Sequence, residues 1–245
     1  FYNFGEAGTK LARATMETAV KMKPDDPMAL AMLAHTHCHS FLFALENTID
    51  ADRNEALALA NRAIELGPEV DFAFRTRAAI RMWLFHDNEG AIADARRALQ
   101  INPSYHLAMQ TLATAEIMSG EIETGLDHAR KLLGKIPNDP QLPYYLSLIA
   151  LGELLRGNEK EAFEKAREAR ERRPSSQWIG MIYAAAAAHK KEITGSDRFK
   201  DMLKRLEIDT DKLSNQPFSR PEHAELMRAR LTAAGAKPKP ERAKV

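Results

Sequence analysis

The sequence predicts an all-α protein, an α-solenoid of stacked antiparallel helix pairs. Three observations carry this. First, one pattern recurs with fixed offsets of 4, 3 and 5: Ala56, Ala60, Ala63, Pro68; Ala91, Ala95, Ala98, Pro103; Ala162, Ala166, Ala169, Pro174. Weaker copies keep the offsets at Ala12, Met16, Ala19, Pro24 and at Gly125, Ala129, Leu132, Pro137. Second, the starts step by 35 (56 to 91), 34 (91 to 125) and 37 (125 to 162), and a period in this range marks a stacked-repeat array. Third, offsets of 4 and 3 put the small residues on one helical face, and each proline follows where the helix stops.

Each copy therefore reads as the second helix of a pair. The first helices are expected at 72–85, 106–118 and 143–155. Polar turns are expected between partners at 87–90, 119–121 and 156–158. The array reads as a half repeat (9–26), units 27–69, 70–105, 106–140 and 141–176, a degenerate pair (177–206), a capping helix (219–234) and a disordered tail (236–245). The first complete unit is enlarged: 22 residues separate Ala34 from Ala56, against 12 from Ala79 to Ala91. The excess is expected to lengthen a helix and to form a loop over 46–54. In the last helix, Ser219 and Glu222 have capping-box spacing, and Gly235 is placed as a C-terminal stop. The chain opens on Phe1 within a half repeat, so a preceding segment is expected.

The pattern resembles the tetratricopeptide repeat, a helix-turn-helix unit of about 34 residues. Ala91, Ala98 and Pro103 match the small residues and proline of the family's second helix. The pairs Leu33-Ala34, Ala78-Ala79, Leu112-Ala113, Ile149-Ala150 and Tyr183-Ala184 match those of its first helices. The family's early tryptophan is replaced by Arg75, Met109 or Leu146, and its first-helix glycine by alanine. The resemblance implies a right-handed superhelix over 1–235, read as one domain, whose first helices line a concave groove. On this register the groove residues are His35, His39, Arg77, Ile80, Trp83, Gln110, Thr114, Ile117, Tyr144, Leu151 and Trp178. The expected occupant is an apolar protein or peptide segment, the upstream domain of the same polypeptide included. Arg77 is the one cation of this set, which argues against capture of a chain's terminal carboxylate.

The ending His223-Ala224-Glu225, Arg230-Leu231, Ala234-Gly235 is similar to the C-terminal tetratricopeptide region of bacterial class III adenylate/guanylate cyclases. Related regions follow winged-helix transcriptional regulators. The resemblance implies a non-catalytic, regulatory module of a larger cytoplasmic signalling protein. The alternative is a free-standing scaffold or assembly factor.

Other features narrow the function. The 35 basic and 34 acidic residues of this 245-residue chain nearly cancel, so nucleic acid and anionic membranes are not expected partners. The longest apolar runs, such as Tyr183 to Ala188, are too short to span a bilayer. A single cysteine, Cys38, excludes an internal disulfide framework. His35 and His39 stand at i and i+4, with Cys38 on nearly the same face, a spacing that suits zinc. No glutamate follows His35 and no second ligand group is evident nearby, so ordinary hydrogen bonding is expected there, with no metal and no cofactor. His37 points away from this face. No nucleotide-binding or hydrolase motif is present.

Overall fold

The computed structural model describes residues 6–42, 50–135, 139–210 and 216–238. Thirteen helices occur among them: α1 (Glu6–Met22), α2 (Pro27–Leu42), α3 (Asp50–Leu66), α4 (Asp71–Phe85), α5 (Asn88–Ile101), α6 (His106–Ser119), α7 (Ile122–Lys135), α8 (Leu142–Leu155), α9 (Glu159–Arg172), α10 (Gln177–Ala187), α11 (Lys191–Thr194), α12 (Asp197–Arg205) and α13 (Pro221–Ala233). The β-structure among the described residues is an isolated bridge between Asp209 and Lys237. Consecutive helices pack on one another, as α2 does on α3, α4 on α5 and α8 on α9. Links as short as His86-Asp87 and Gly120-Glu121 make such partners antiparallel. The chain divides into two compact units, residues 1–115 and 116–245, with the division inside α6.

The repeated alanines explain the packing. All nine alanines of the three strong copies are completely buried. A methyl group at the contact lets a neighbouring helix approach closely, and the bulky partners then supply the dispersion contacts. In the first unit Ala56 and Ala60 of α3 meet Ala34 and Cys38 of α2 and Ala79, Ile80 and Leu84 of α4. Next to this cluster, Ala91 and Ala95 of α5 meet Ala78 and Met82 of α4 and Leu112 and Ala115 of α6. In the second unit Ala169 joins Leu142, Leu146 and Ile179. The weaker copy at Gly125, Ala129 and Leu132 is buried too, whereas Ala12, Met16 and Ala19 of α1 are only partly so.

Helix ends follow local chemistry. Asp26 caps α2, its carboxylate accepting from the N–H groups of Met28 and Ala29 at 2.9 and 3.0 Å. Asp87 caps α5 by accepting from the Gly90 N–H at 2.8 Å. Residues 88–90 are thus the first turn of α5 and not the expected open turn. The expected loop over 46–54 is likewise shorter: α3 begins at Asp50, and 43–49 lie outside the described residues, as do Pro137 and most of the expected tail. Gly157 ends α8 with φ 86°, where the Asn158 N–H reaches back to the Glu153 carbonyl at 2.8 Å. At the end of α4 that left-handed place is held by His86, φ 57°.

The C-terminal part departs most from expectation. The second helix of the degenerate pair is split into α11 and α12, and Ser196 caps the latter by accepting from the Phe199 N–H at 3.3 Å. The capping box of α13 is not formed. The N-cap is Arg220, without a side-chain cap, and Pro221 sits in the first turn, where a missing N–H costs nothing. Ser219 instead donates its N–H to the Met118 carbonyl at 2.9 Å, which fastens this segment to the end of α6. Helix α13 then buries Met227 and Leu231, packs on α10 and ion-pairs Arg230 with Glu159 of α9.

Two glycines give opposite tests of this packing. A Cβ on Gly152 would stand 2.7 Å from Leu126 Cδ2 and 3.3 Å from Ile117 Cδ1, both wholly buried side chains, whereas a Cβ on Gly157 would meet nothing within 4 Å. Gly152→Ala is expected to destabilise the chain through overpacking, by about 1–3 kcal/mol less the gain in helix propensity. Gly157→Ala is expected to cost about 1 kcal/mol through φ alone. Urea unfolding of each variant measures both, and only Gly152→Ala is expected to be rescued by Leu126→Val.

Candidate functional site

The residues expected to line a groove fall into different environments. In the unit 1–115, Ile80 is completely buried within the alanine cluster of α2, α3 and α4. In the unit 116–245, Ile117 and Leu151 are also completely buried. These three are core residues, a correction to their placement as contact residues: the register selects a face but does not say whether it is covered, and at these positions it is. His35 and Thr114 are buried as well, at 7% and 9% exposure, and the Thr114 hydroxyl donates to the Gln110 carbonyl at 2.8 Å.

Arg77 is already engaged. Its guanidinium grips the buried carboxylate of Asp94 in a fork, Nε to Oδ2 at 2.8 Å and Nη2 to Oδ1 at 2.7 Å, and its Nη1 reaches Asn61 Oδ1 at 2.9 Å. Arg81 adds a third contact to Asp94 at 2.8 Å. This arrangement ties α4 to α3 and α5, so Arg77 serves the fold.

Partly exposed members of the set are His39, Trp83, Gln110, Tyr144 and Trp178. Trp83 lies against both alanine clusters of α4. Tyr144 of α8 and Trp178 of α10 pack on one apolar cluster, formed by Leu142, Leu146, Ala169 and Ile179. The Arg173 guanidinium stands 5.1 Å from the Tyr144 ring centre, in cation–π range. Two large aromatic side chains therefore share one foundation at the surface of the second unit, beside a cation.

The histidine group does not form the suggested zinc cluster. Cys38 is 1% exposed inside the α2–α3–α4 cluster, and burial pushes its thiol up to about 12. The His35 and His39 ring centres lie 4.6 Å apart at a tilt of 47°, with the Phe72 ring centre 5.6 Å from that of His35. Burial, then the Arg75 charge, pushes His39 down to about 4, and the same causes hold His35 well below the ordinary histidine range. Among the described residues, three ligand groups do converge elsewhere: His37, Asp52 and Glu55, with ligand atoms all within 4.8 Å of one another. The sequence signal was His37 itself, followed by two carboxylates spaced i, i+3 at the start of α3.

One register position is shared by His37, Met82, Glu116 and Glu153, each three residues after the alanine of its first-helix pair, and all four are buried. Met82 packs in an alanine cluster. Glu116 meets His128 Nδ1 at 2.7 Å. Glu153 is held by Arg130, by Arg156 Nε at 2.7 Å and by Asn158 Nδ2 at 2.9 Å.

No protein-family model and no curated protein matches the chain. Solved structures do. A thermophilic tetratricopeptide-repeat protein of Thermus thermophilus aligns with TM-score 0.59 and 21% identity, over 74% of this chain and 91% of its own. PilW, a type IV pilus biogenesis factor, aligns with TM-score 0.63 and 14% identity, over 81% of this chain and 86% of its own. The APC/C hetero-tetramer Cut9–Hcn1 aligns with TM-score 0.64 and 14% identity, over 91% of this chain but 40% of that one. The chain therefore has the tetratricopeptide-repeat fold. No helix among the described residues is long and apolar enough to cross a membrane.

Two outcomes follow from these placements. Arg77→Ala is expected to lower stability by about 2 kcal/mol, the scale of hydrogen bonds to a charged partner, and Arg77→Lys is expected to recover only part of it because an ammonium cannot form the fork. Denaturant titration measures both. Cys38 is expected to react with a thiol reagent only as fast as the chain unfolds, so its labelling rate should rise in step with urea.

Proposed function

We propose that this chain is a non-catalytic docking module that binds a segment of another protein, or of a longer polypeptide to which it belongs, on the first helices of its repeats. The carrying observation is the pair Tyr144 and Trp178, partly exposed on one apolar cluster. Aromatic side chains seated on a rigid base and flanked by arginine have the composition of binding hot spots. The Arg173 guanidinium adds a preference for an apolar segment with an acidic neighbour. The fold supports this reading: its solved relatives include a component of a hetero-tetramer and a pilus biogenesis factor.

A regulatory place beside a nucleotide cyclase or a winged-helix domain would be one setting for such a module. The residues of that likeness serve packing in α13: Leu231 and Ala234 are buried, His223 lies against Phe218, and Gly235 takes a positive φ. The proposal is therefore framed by the docking surface and not by an output domain. A scaffold acting in assembly would use the same surface.

Selection of a random-peptide phage library on the intact chain tests it. Enriched peptides are expected to be apolar with an acidic flank, and to lose at least about tenfold in affinity on Trp178→Ala or Tyr144→Ala. Peptides that bind both variants as well as the parent would sink the reading.

A further inference from the structure

We propose that His37, Asp52 and Glu55 form a binding site for a zinc-class divalent cation between α2 and the start of α3. The donors come from two packed helices of the same unit. His37 is 4% exposed, so its ring is held in place, while Asp52 is partly exposed and Glu55 exposed, which leaves the site open to solvent on the carboxylate side. Zinc binds imidazole nitrogen and carboxylate oxygen at about 2.0–2.2 Å, so two ligand atoms on one ion stand at most ~4.4 Å apart. Ligand atoms within 4.8 Å of one another reach this by side-chain rotation, without movement of the helices.

Charge agrees with the ion. The groups that act on the His37 ring are Arg13 and Glu17 of α1 and Glu55 and Asp52 of α3. Three carboxylates against one guanidinium leave a net charge of minus two by simple count, the complement of a divalent cation. Arg13 is itself paired with Glu17 at 3.3 Å.

Comparison along the register makes the same point. Glu116 and Glu153 occupy the place of His37 in later units, and each has a protein counter-group at hydrogen-bond distance. His37 instead faces two carboxylates, its ligand atom and theirs within 4.8 Å of one another. One nitrogen with two oxygens favours zinc over magnesium, which prefers an all-oxygen shell and keeps its waters. A water molecule completes the set as the fourth ligand.

The test is calorimetric titration of zinc chloride into the intact, untagged chain after chelator treatment, with magnesium chloride as the comparison. A single equivalent of zinc is expected to bind and to raise the melting temperature, with magnesium doing neither. Asp52→Asn and Glu55→Gln, both at the surface, are expected to keep the fold and to weaken zinc at least about tenfold. His37→Gln is expected to abolish binding, with circular dichroism checking the fold. Absence of zinc binding, binding equal in Asp52→Asn and Glu55→Gln, equal binding of magnesium, or a loss that follows His35→Gln or His39→Gln instead would each overturn the proposal.

Discussion

The structure depends on how closely two helices can approach. At the recurring contact the side chain is a methyl group with no exposure, small enough to admit a close neighbouring helix. A methyl contributes little apolar area of its own, roughly a single carbon's worth of burial. Its importance is what it allows: Ile80, Met82, Leu112 and Leu146 can then reach across and fill the space between helices. Gly152 carries the same logic one carbon further, because Leu126 and Ile117 occupy the volume its side chain would need.

Polar chemistry in this chain is first of all structural. Asp94 is buried and would be costly alone, yet two arginines and the geometry of the fork compensate it. The completely buried Glu153 is compensated by Arg130, Arg156 and Asn158 from the helix before it and from its own helix end. These groups join helices that hydrophobic contact alone would hold with less definition of register. The proposed docking residues Tyr144 and Trp178 are of another kind, side chains that the packing supports without enclosing.

Much of the fold was legible because a period of alanines and prolines repeats a single physical requirement. The boundaries of α4, α6 and α8 fall within a residue or so of their expected places for that reason. Where one local device can replace another, the sequence was less explicit. Ser219 and Glu222 have the spacing of a capping box, but the Ser219 N–H is drawn to Met118 and the helix starts later. The contact surface was legible only in part. A helical register tells which residues share a face, not whether another helix covers that face. Ile80 and Trp83 illustrate this: three residues apart on α4, one is sealed and the other partly open. His37 was set aside for pointing away from the other histidines, and its carboxylate neighbours emerged only once α3 was in place.

The register position shared by His37, Met82, Glu116 and Glu153 has a consequence for the order of the array. Repeats that share a backbone plan could in principle be interchanged, or could pair out of step while folding. Here each unit carries a different group at one interior place, and each group is matched by its own neighbours. A unit bearing Glu153 moved to the position of the Met82 unit would keep Arg156 and Asn158 but leave behind Arg130, which the preceding helix supplies to its buried carboxylate. The serial order of the units is thus written into their interiors as a set of mutually exclusive fits, and the chain assembles as a sentence and not as a string of identical words.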